Sequence, residues 1–147
     1  MPATRPYKRA FELLADAGLR PTRQRVGLSR LLFEGGHRHA TAEQLHAEAM
    51  TSGLRVSLAT VYNALHQMTE AGMLREVVVE AGRSYFDTNV SMHHHFFHEE
   101  SGWLLDVPGS AALLDALPPP PPGTRVKQVD VIIRLAEKPD DTVAAPK

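Results

Sequence analysis

The chain contains no cysteine, and this absence excludes several kinds of site at once. Without thiols there is no disulfide bond, no thiolate zinc site and no cysteine nucleophile. Any bound metal ion must therefore be held by histidine and carboxylate ligands, and the chain has 8 histidines to offer. The possible metal chemistry is narrowed to imidazole nitrogen and carboxylate oxygen.

Long apolar runs are missing as well. No stretch approaches the roughly 18 to 20 apolar residues that a membrane-spanning helix requires. The first residues, MPATRPYKRAFELL, have neither the apolar stretch nor the cleavage site of a secretory signal. With 43% apolar and 22% charged residues in 147 positions, the composition predicts a cytoplasmic globular protein of one ordinary domain or two small ones, with no membrane partner.

A large net charge is also absent, since the formal total is -1, but the charges are unevenly distributed. Residues 1–86 carry 11 Lys and Arg against 8 Asp and Glu, whereas residues 87–147 carry 5 against 9. A basic N-terminal half followed by an acidic C-terminal half is typical of a nucleic-acid-binding protein with a second module. Mixed surfaces also produce such imbalances, so this alternative stays open.

The order of predicted elements favours a winged helix-turn-helix over residues 1–88. Four helical patterns are followed by the strands MLREVVVE and RSYFDTN, which the Ala81-Gly82 turn joins as a hairpin. The predicted N-caps of the second, third and fourth helices are Thr22, Thr41 and Ser57. The predicted apolar stripe of the first helix is Phe11, Leu14, Ala15 and Leu19. A small α+β domain without a nucleic-acid role is the alternative.

Residues 89–137 predict a small second module of strands and one short helix. GWLLDVPG and RVKQVDVIIRL are predicted strands, and SAALLDAL is a predicted helix. The proline run in 118–123 predicts a stiff connector, and 138–147 a flexible tail. One face of the last strand is wholly apolar, so it needs a cover. A second copy would supply it and give a homodimer, whereas packing against the first helix is the alternative.

The run MHHHFFHEE, residues 92–100, places four histidines in nine positions. In an extended chain, alternation points His93 and His95 to one side and His94 to the other, so the three cannot all bind one ion. The density of imidazoles favours coordination over ordinary surface histidines. Neutral imidazole binds zinc, iron or haem iron, and its second nitrogen needs an orienting partner such as Asp87 or Glu99.

Several of these motifs resemble the ferric uptake regulator (Fur) family. SLATVYNALHQMTEAGMLREV, residues 57–77, resembles its recognition helix and the start of its wing. GRSYFDTNVSMHHHFFHEE, residues 82–100, resembles its hinge and histidine cluster. With GLRPTRQRVGLSRLL and HATAEQLHAEA in the expected order, the resemblance covers residues 10–107. The HHHFF ending and the lack of cysteine most resemble the iron response regulator (Irr) branch, whose members respond to haem.

The resemblance implies an α+β fold in which a winged-helix DNA-binding domain precedes a small α/β dimerisation domain. It implies a homodimeric transcriptional regulator, not an enzyme, that binds double-stranded operator DNA and changes its affinity with metal or haem. A divalent-metal repressor without haem sensing, and a histidine-rich metal or haem carrier, are the alternatives. A metalloenzyme is a further rival, but no separate general base or nucleophile stands out in the sequence.

For DNA, short polar and aromatic side chains at a helix N-terminus suit base reading in the major groove. The resemblance implies that Tyr62 contacts a thymine methyl and that Asn63 reads adenine. It also implies that Arg20 enters an A·T-rich minor groove. The remaining predicted contacts are Ser57 and Thr60 for bases, and Arg23, Arg25 and Arg83 for phosphates. The alternative is that all of these are ordinary solvated groups around a core of Val61, Ala64, Leu65 and Met68.

For metal, the resemblance implies a hinge site with Zn, Fe or Mn at His39, Asp87 and His95. The position of a further expected histidine is Phe97, so His98 or His37 would substitute. The family's other site lacks an acid, because Phe96 stands in its place. Apolar rings there favour a haem against Phe96 and Phe97, with His93, His94 or His95 as its ligand. Core packing of the two phenylalanines is the alternative.

Overall fold

The structure is a computed structural model that describes residues 7–80, 82–108 and 115–139. The chain divides into two compact units, of which unit 1 ends at Val90 and unit 2 begins at Ser91. None of the helices in the described ranges combines the length and the apolarity needed to cross a bilayer.

Unit 1 combines four helices with a three-stranded antiparallel sheet in its described residues. The elements are α1 Lys8–Asp16, α2 Arg23–Phe33, β1 His39–Ala40, α3 Ala42–Thr51, α4 Leu58–Glu70, β2 Arg75–Glu80 and β3 Arg83–Asp87. The strand order is β1-β3-β2, with β3 antiparallel to both neighbours. Helices followed by a β2–β3 hairpin are the arrangement that the sequence predicts for a winged helix-turn-helix.

Three hydroxyl side chains set where helices begin. Thr22 accepts a hydrogen bond from the amide of Arg25, and Ser57 accepts one from the amide of Thr60. At α3 the cap is a reciprocal box, because Thr41 Oγ1 accepts from the Gln44 amide while Gln44 Oε1 accepts from the Thr41 amide. Each side chain satisfies an amide that the first helical turn leaves unpaired. The three predicted N-caps are therefore confirmed.

The core of unit 1 is apolar and closely packed. Its side chains with at most 1% exposure include Leu14, Leu28, Leu32, Leu45, Val61, Leu65, Met68 and Phe86. The inner face of α4 is Val61, Ala64, Leu65 and Met68, as predicted. The predicted stripe of α1 is partly wrong, because Phe11 is 48% exposed and Ala15 is also exposed. The buried face instead follows Ala10 and Leu14, which are one helical turn apart.

Unit 2 contains a small mixed sheet in its described residues. Its strands are β4 His95–His98, β5 Leu104–Asp106 and β6 Ile132–Leu135. Strand β4 is central, antiparallel to β5 and parallel to β6. The predicted strand over RVKQVDVIIRL is wrong in extent, since only its last four residues pair. The partner β4 has four residues, from His95 opposite Ile132 to His98 opposite Leu135, and offers no longer ladder.

Some predicted features of unit 2 fall partly outside the described residues. Of SAALLDAL, residues 110–114 lie outside them, and residues 115–117 are not helical. Residues 118–122, the proline run, are exposed and form neither helix nor strand. Of the predicted tail, residues 140–147 lie outside the described ranges.

Candidate metal centre and DNA-binding surface

In unit 1 an imidazole and a carboxylate meet at the end of the sheet. Strand pairing sets His39 opposite Asp87, and His39 Nε2 lies 3.2 Å from Asp87 Oδ2. The Asp87 side chain is 1% exposed, and its Oδ1 accepts a hydrogen bond of 2.9 Å from the Asn89 amide. A backbone amide thus orients the carboxylate, while its second oxygen faces the imidazole. The pair offers one nitrogen and one oxygen of the kind that divalent metals bind.

In unit 2 two histidines and one aspartate form a compact cluster. Asp106 Oδ1 lies 3.5 Å from His93 Nε2 and 3.3 Å from His95 Nε2. One ligand atom of each of the three residues lies within 4.8 Å of the others. The two rings are 4.6 Å apart between centroids, so His93 and His95 share one side of the chain. Strand pairing brings Asp106 there, because it stands opposite His95 in the β4–β5 ladder.

The hydrogen bond of the other His93 nitrogen sets its tautomer. His93 Nδ1 lies 2.6 Å from the carbonyl oxygen of Ser91, and only a protonated nitrogen can donate to a carbonyl. In the neutral ring Nε2 then carries the lone pair, which faces the cluster. A backbone carbonyl commonly orients metal-binding histidines in this way. The donor set of His93, His95 and Asp106 therefore fits a divalent ion such as Zn, Mn or Fe.

The sequence did not single out Asp106, and it assigned His93 to haem rather than to metal. The signal was present in GWLLDVPG, where an acid ends an apolar strand, but only strand pairing places that acid beside the histidines.

His94 points away from this cluster. Its side chain is 0% exposed, and its Nδ1 accepts a hydrogen bond of 3.2 Å from the Val131 amide. The His95 amide in turn donates to the Val131 carbonyl, so this part of β4 is bound to the chain that enters β6. Phe97 is 1% exposed with the Arg134 guanidinium 5.9 Å from its ring centre, and Phe96 is half-buried. His94 and Phe97 are thus packed within unit 2.

His98 belongs to a different set of contacts. Its ring stacks on Trp103, with 5.0 Å between centroids, and its Nδ1 accepts from the Ser101 amide. Its Nε2 lies 3.1 Å from Glu137 Oε1. His37, the other predicted substitute ligand, is exposed in the bend before β1. The structure therefore does not bring His98 to the His93–His95–Asp106 cluster.

The N-terminal half of α4 presents polar side chains on its outer side. Asn63 is exposed, and Ser57 and Thr60 pair through their hydroxyls at 2.9 Å. Tyr62 is half-buried, and its hydroxyl donates a hydrogen bond of 2.6 Å to Glu43 Oε1 on α3. The sequence did not predict a role for Glu43.

The four arginines predicted to contact DNA differ in their exposure and in their contacts with the rest of unit 1. Arg20 and Arg23 are exposed, and Arg83 is exposed with its Nη1 3.5 Å from Glu80 Oε1. Arg25 instead donates to the carbonyl of Arg20 at 3.0 Å and to Gln67 Oε1 on α4 at 2.7 Å. The Arg25 side chain therefore joins the start of α2 to α4.

Comparison with known proteins supplies sequence and structural relatives. The profile of the "Ferric uptake regulator family" matches residues 16–110. The "Peroxide-responsive repressor PerR" of Staphylococcus aureus (strain Mu50 / ATCC 700699) is 32% identical over 93 residues, which are 63% of this chain and 62% of that protein. The match thus spans less than two thirds of this relative's length.

Solved structures share the fold at lower identity. The ferric uptake regulator from Pseudomonas aeruginosa with manganese has a TM-score of 0.68 at 23% identity, over 88% of this chain and 98% of that chain. The Vibrio cholerae ferric uptake regulator has a TM-score of 0.67 at 23% identity, over 85% and 97%. These likenesses confirm the predicted α+β fold. Because the family profile matches most of its length, the chain belongs to the ferric uptake regulator family.

Proposed function

We propose that this chain is a metal-responsive transcription regulator that binds operator DNA as a homodimer. The observation that carries the proposal is the His93–His95–Asp106 cluster in a chain whose other unit has a winged-helix arrangement. The named relatives support it, since one is called a repressor and another was solved with manganese. Family members are regulators and not enzymes, which agrees with the expectation that this chain is not an enzyme.

Each unit has its own group of proposed metal ligands. His93, His95 and Asp106 would be supplied by unit 2, and His39 and Asp87 by unit 1. A bound divalent ion would place positive charge beside the carboxylates of Asp87 and Asp106. Metal binding at these groups would favour one conformation of the dimer and thereby change its affinity for operator DNA.

The proposed DNA contacts divide by chemistry. Asn63 and Tyr62 on α4 would meet base edges in the major groove. Arg20 would enter an A·T-rich minor groove, and Arg23 and Arg83 would meet phosphates. Arg25 would act chiefly by holding α4, since Gln67 and the Arg20 carbonyl already engage its guanidinium.

The dimer is part of the proposal because the strand β6 is incompletely covered in a single chain. Ile132, Ile133 and Leu135 are only partly buried within the described residues. A second copy would bury these side chains by two-fold pairing.

A more specific proposal is that the chain senses haem, as members of the Irr branch do. The ring nitrogen of His94 accepts from the Val131 amide and the side chain is fully buried, which weighs against His94 as an axial ligand. His93 and His95 remain the haem ligands to test. Titration of the apo-protein with haemin should shift the Soret band, and His93→Ala and His95→Ala should remove that shift. A shift retained in both variants would contradict haem binding at this cluster.

A mobility-shift experiment tests the proposed function. A duplex selected from random DNA by the wild-type protein with Mn²⁺ is compared with random duplex, with Mn²⁺ and with EDTA. We expect preferential binding of the selected duplex that depends on the metal. His95→Ala should lose this dependence, whereas His46→Ala should keep it, because His46 bonds to the Val56 carbonyl and lies outside the group of proposed ligands. Equal binding of both duplexes would refute the proposed role as a transcription regulator. Equal binding of the selected duplex with Mn²⁺ and with EDTA would refute control by metal.

A further inference from the structure

Glu43 lies in the first turn of α3, where its carboxylate contacts the outer side of α4. The Tyr62 hydroxyl donates a bond of 2.6 Å to Glu43 Oε1, a length typical of a hydroxyl bound to an ionised carboxylate. This bond is the main reason that the pKa of the Glu43 carboxyl is lowered, and it also raises the pKa of the Tyr62 hydroxyl. At neutral pH the contact is therefore a neutral phenol donating to an anion.

The surroundings of this pair connect three elements of unit 1. On α4 the His66 ring lies 6.2 Å from that of Tyr62, and it also lies 5.7 Å from that of Phe86. On β3 the positive charge of Arg83 contributes to the lowered pKa of Glu43. The tip of Tyr62 is thus held from α3, while its ring stays on the surface of α4.

A carboxylate is an unfavourable neighbour for the phosphates of DNA, because like charges repel. Glu43 compensates for this repulsion because its hydrogen bond fixes the orientation of Tyr62. An aromatic ring without a bond at its tip samples several rotamers, and contact with a thymine methyl requires one of them. A ring held through its hydroxyl still has its apolar edge available to a base.

We propose that Glu43 is a positioning residue that determines DNA specificity by holding Tyr62. This inference rests on the proposed DNA-binding function. The bond and the charge have separable effects. The bond raises the preference for the correct sequence, while the charge lowers the affinity for DNA of any sequence.

Two substitutions separate these effects. Glu43→Ala removes both the acceptor and the charge, whereas Glu43→Gln removes the charge and keeps an oxygen acceptor. Binding of the metal-loaded full chain is measured on the selected duplex and on random duplex. We expect both variants to bind random duplex more tightly than wild type. Glu43→Ala should lower the selected-to-random ratio about tenfold, as loss of roughly 1.4 kcal/mol would, and Glu43→Gln should lower it less.

The double variant with Tyr62→Phe tests whether Glu43 acts through the hydroxyl. Tyr62→Phe alone should lower the ratio to the same extent as Glu43→Ala, and the two together should lower it no further. Glu70→Gln is the matched control, since it removes the same charge from the exposed end of α4 and should leave the ratio unchanged. The α-helical circular dichroism of each variant checks that α3 is intact.

The outcomes distinguish this inference from the function on which it rests. If wild type itself does not prefer the selected duplex, the proposed function is refuted. If wild type prefers it and Glu43→Ala has the same ratio, or if the two substitutions add independently, the role of Glu43 is refuted while the function stands.

Discussion

His95 Nε2 lies 3.3 Å from Asp106 Oδ1, although eleven positions of the chain separate the two residues. The histidine is 1% exposed, and the aspartate side chain is 49% exposed. A buried imidazole beside an accessible carboxylate offers a nitrogen and an oxygen of the kind that divalent metals bind. This relationship leads to the first prediction.

Asp106→Asn should weaken metal binding, because the amide keeps the size of the carboxylate but not its charge. We expect the affinity for Mn²⁺ or Zn²⁺ to fall by at least the roughly 10- to 100-fold that loss of an outer hydrogen-bonding partner causes at metal sites. Isothermal titration with the metal-free protein measures this affinity. Asp115→Asn, an exposed aspartate in the described part of unit 2, should bind as wild type does. Equal affinities for Asp106→Asn and wild type would exclude Asp106 as a ligand.

The Arg38–Glu48 ion pair should make the stability of unit 1 depend on acid pH. Two bonds of 2.7 Å join the guanidinium to the carboxylate, and the bond from Arg38 lowers the pKa of Glu48. A lowered pKa in the folded state means that this stability is present above the ordinary pKa of glutamate. It is lost as the pH falls through the lowered value.

Glu48→Gln should therefore lower the free energy of unfolding by about 0.5 to 1 kcal/mol at pH 7, because the pair is partly exposed and solvent screens it. The difference from wild type should shrink at pH 4 and below. Urea denaturation followed by helical circular dichroism measures it, since the helices of the described residues lie in unit 1. Glu12→Gln is the control. Glu12 Oε1 lies 3.9 Å from Lys8 Nζ and both side chains are exposed, so this substitution should have a smaller effect. If the difference in unfolding free energy between Glu48→Gln and wild type does not change with pH, ionisation of Glu48 does not contribute to stability in this way.

The capping box of α3 should contribute measurably to stability. Thr41→Ala removes the acceptor for the Gln44 amide, and we expect a loss of about 1 kcal/mol in the free energy of unfolding. Thr51→Ala is the control, because this exposed hydroxyl only donates to the Ala47 carbonyl within the helix. Its effect should stay within about 0.5 kcal/mol. If the two variants unfold at the same urea concentration, the box is not a significant source of stability.

Arg23 and Tyr62 should affect DNA binding in different ways. Arg23→Ala should weaken binding to selected and random duplex alike and lower the slope of log affinity against log salt by about 1. Tyr62→Ala should instead lower the selected-to-random ratio, with little change in slope. Affinities at two or more salt concentrations separate the two patterns. The same pattern for both variants would mean that the division into phosphate and base contacts is wrong.

Local patterns in the sequence predicted the helices of unit 1 well. Thr22, Thr41 and Ser57 were recognisable as caps because a helix N-terminus is satisfied by side chains within three positions. The side that His93 and His95 share also followed from alternation along an extended chain. The stripe of α1 was misassigned at Phe11 and Ala15, since one short helix allows several apolar stripes and packing selects among them.

Contacts between distant segments could not be predicted in this way. His39 meets Asp87 through the β1–β3 register, a proximity that the family resemblance implied but no local pattern did. Asp106 meets His95 through the β4–β5 register, and neither the resemblance nor a local pattern indicated it. His98 was expected among the metal ligands, but it stacks on Trp103 and contacts Glu137. A hydrogen-bonded register depends on which strands pair and with what offset, and the residues next to each other in the sequence do not determine that choice.

The amino-acid sequence alone determined that metal chemistry here is limited to imidazole and carboxylate, and it determined where helices begin, because both depend on residue types and short spacings. Tertiary structure decided which imidazole faces which carboxylate, and it placed Glu43 at the hydroxyl of Tyr62. These partners are far apart in the chain, and only strand pairing and helix packing bring their atoms within 4 Å of each other.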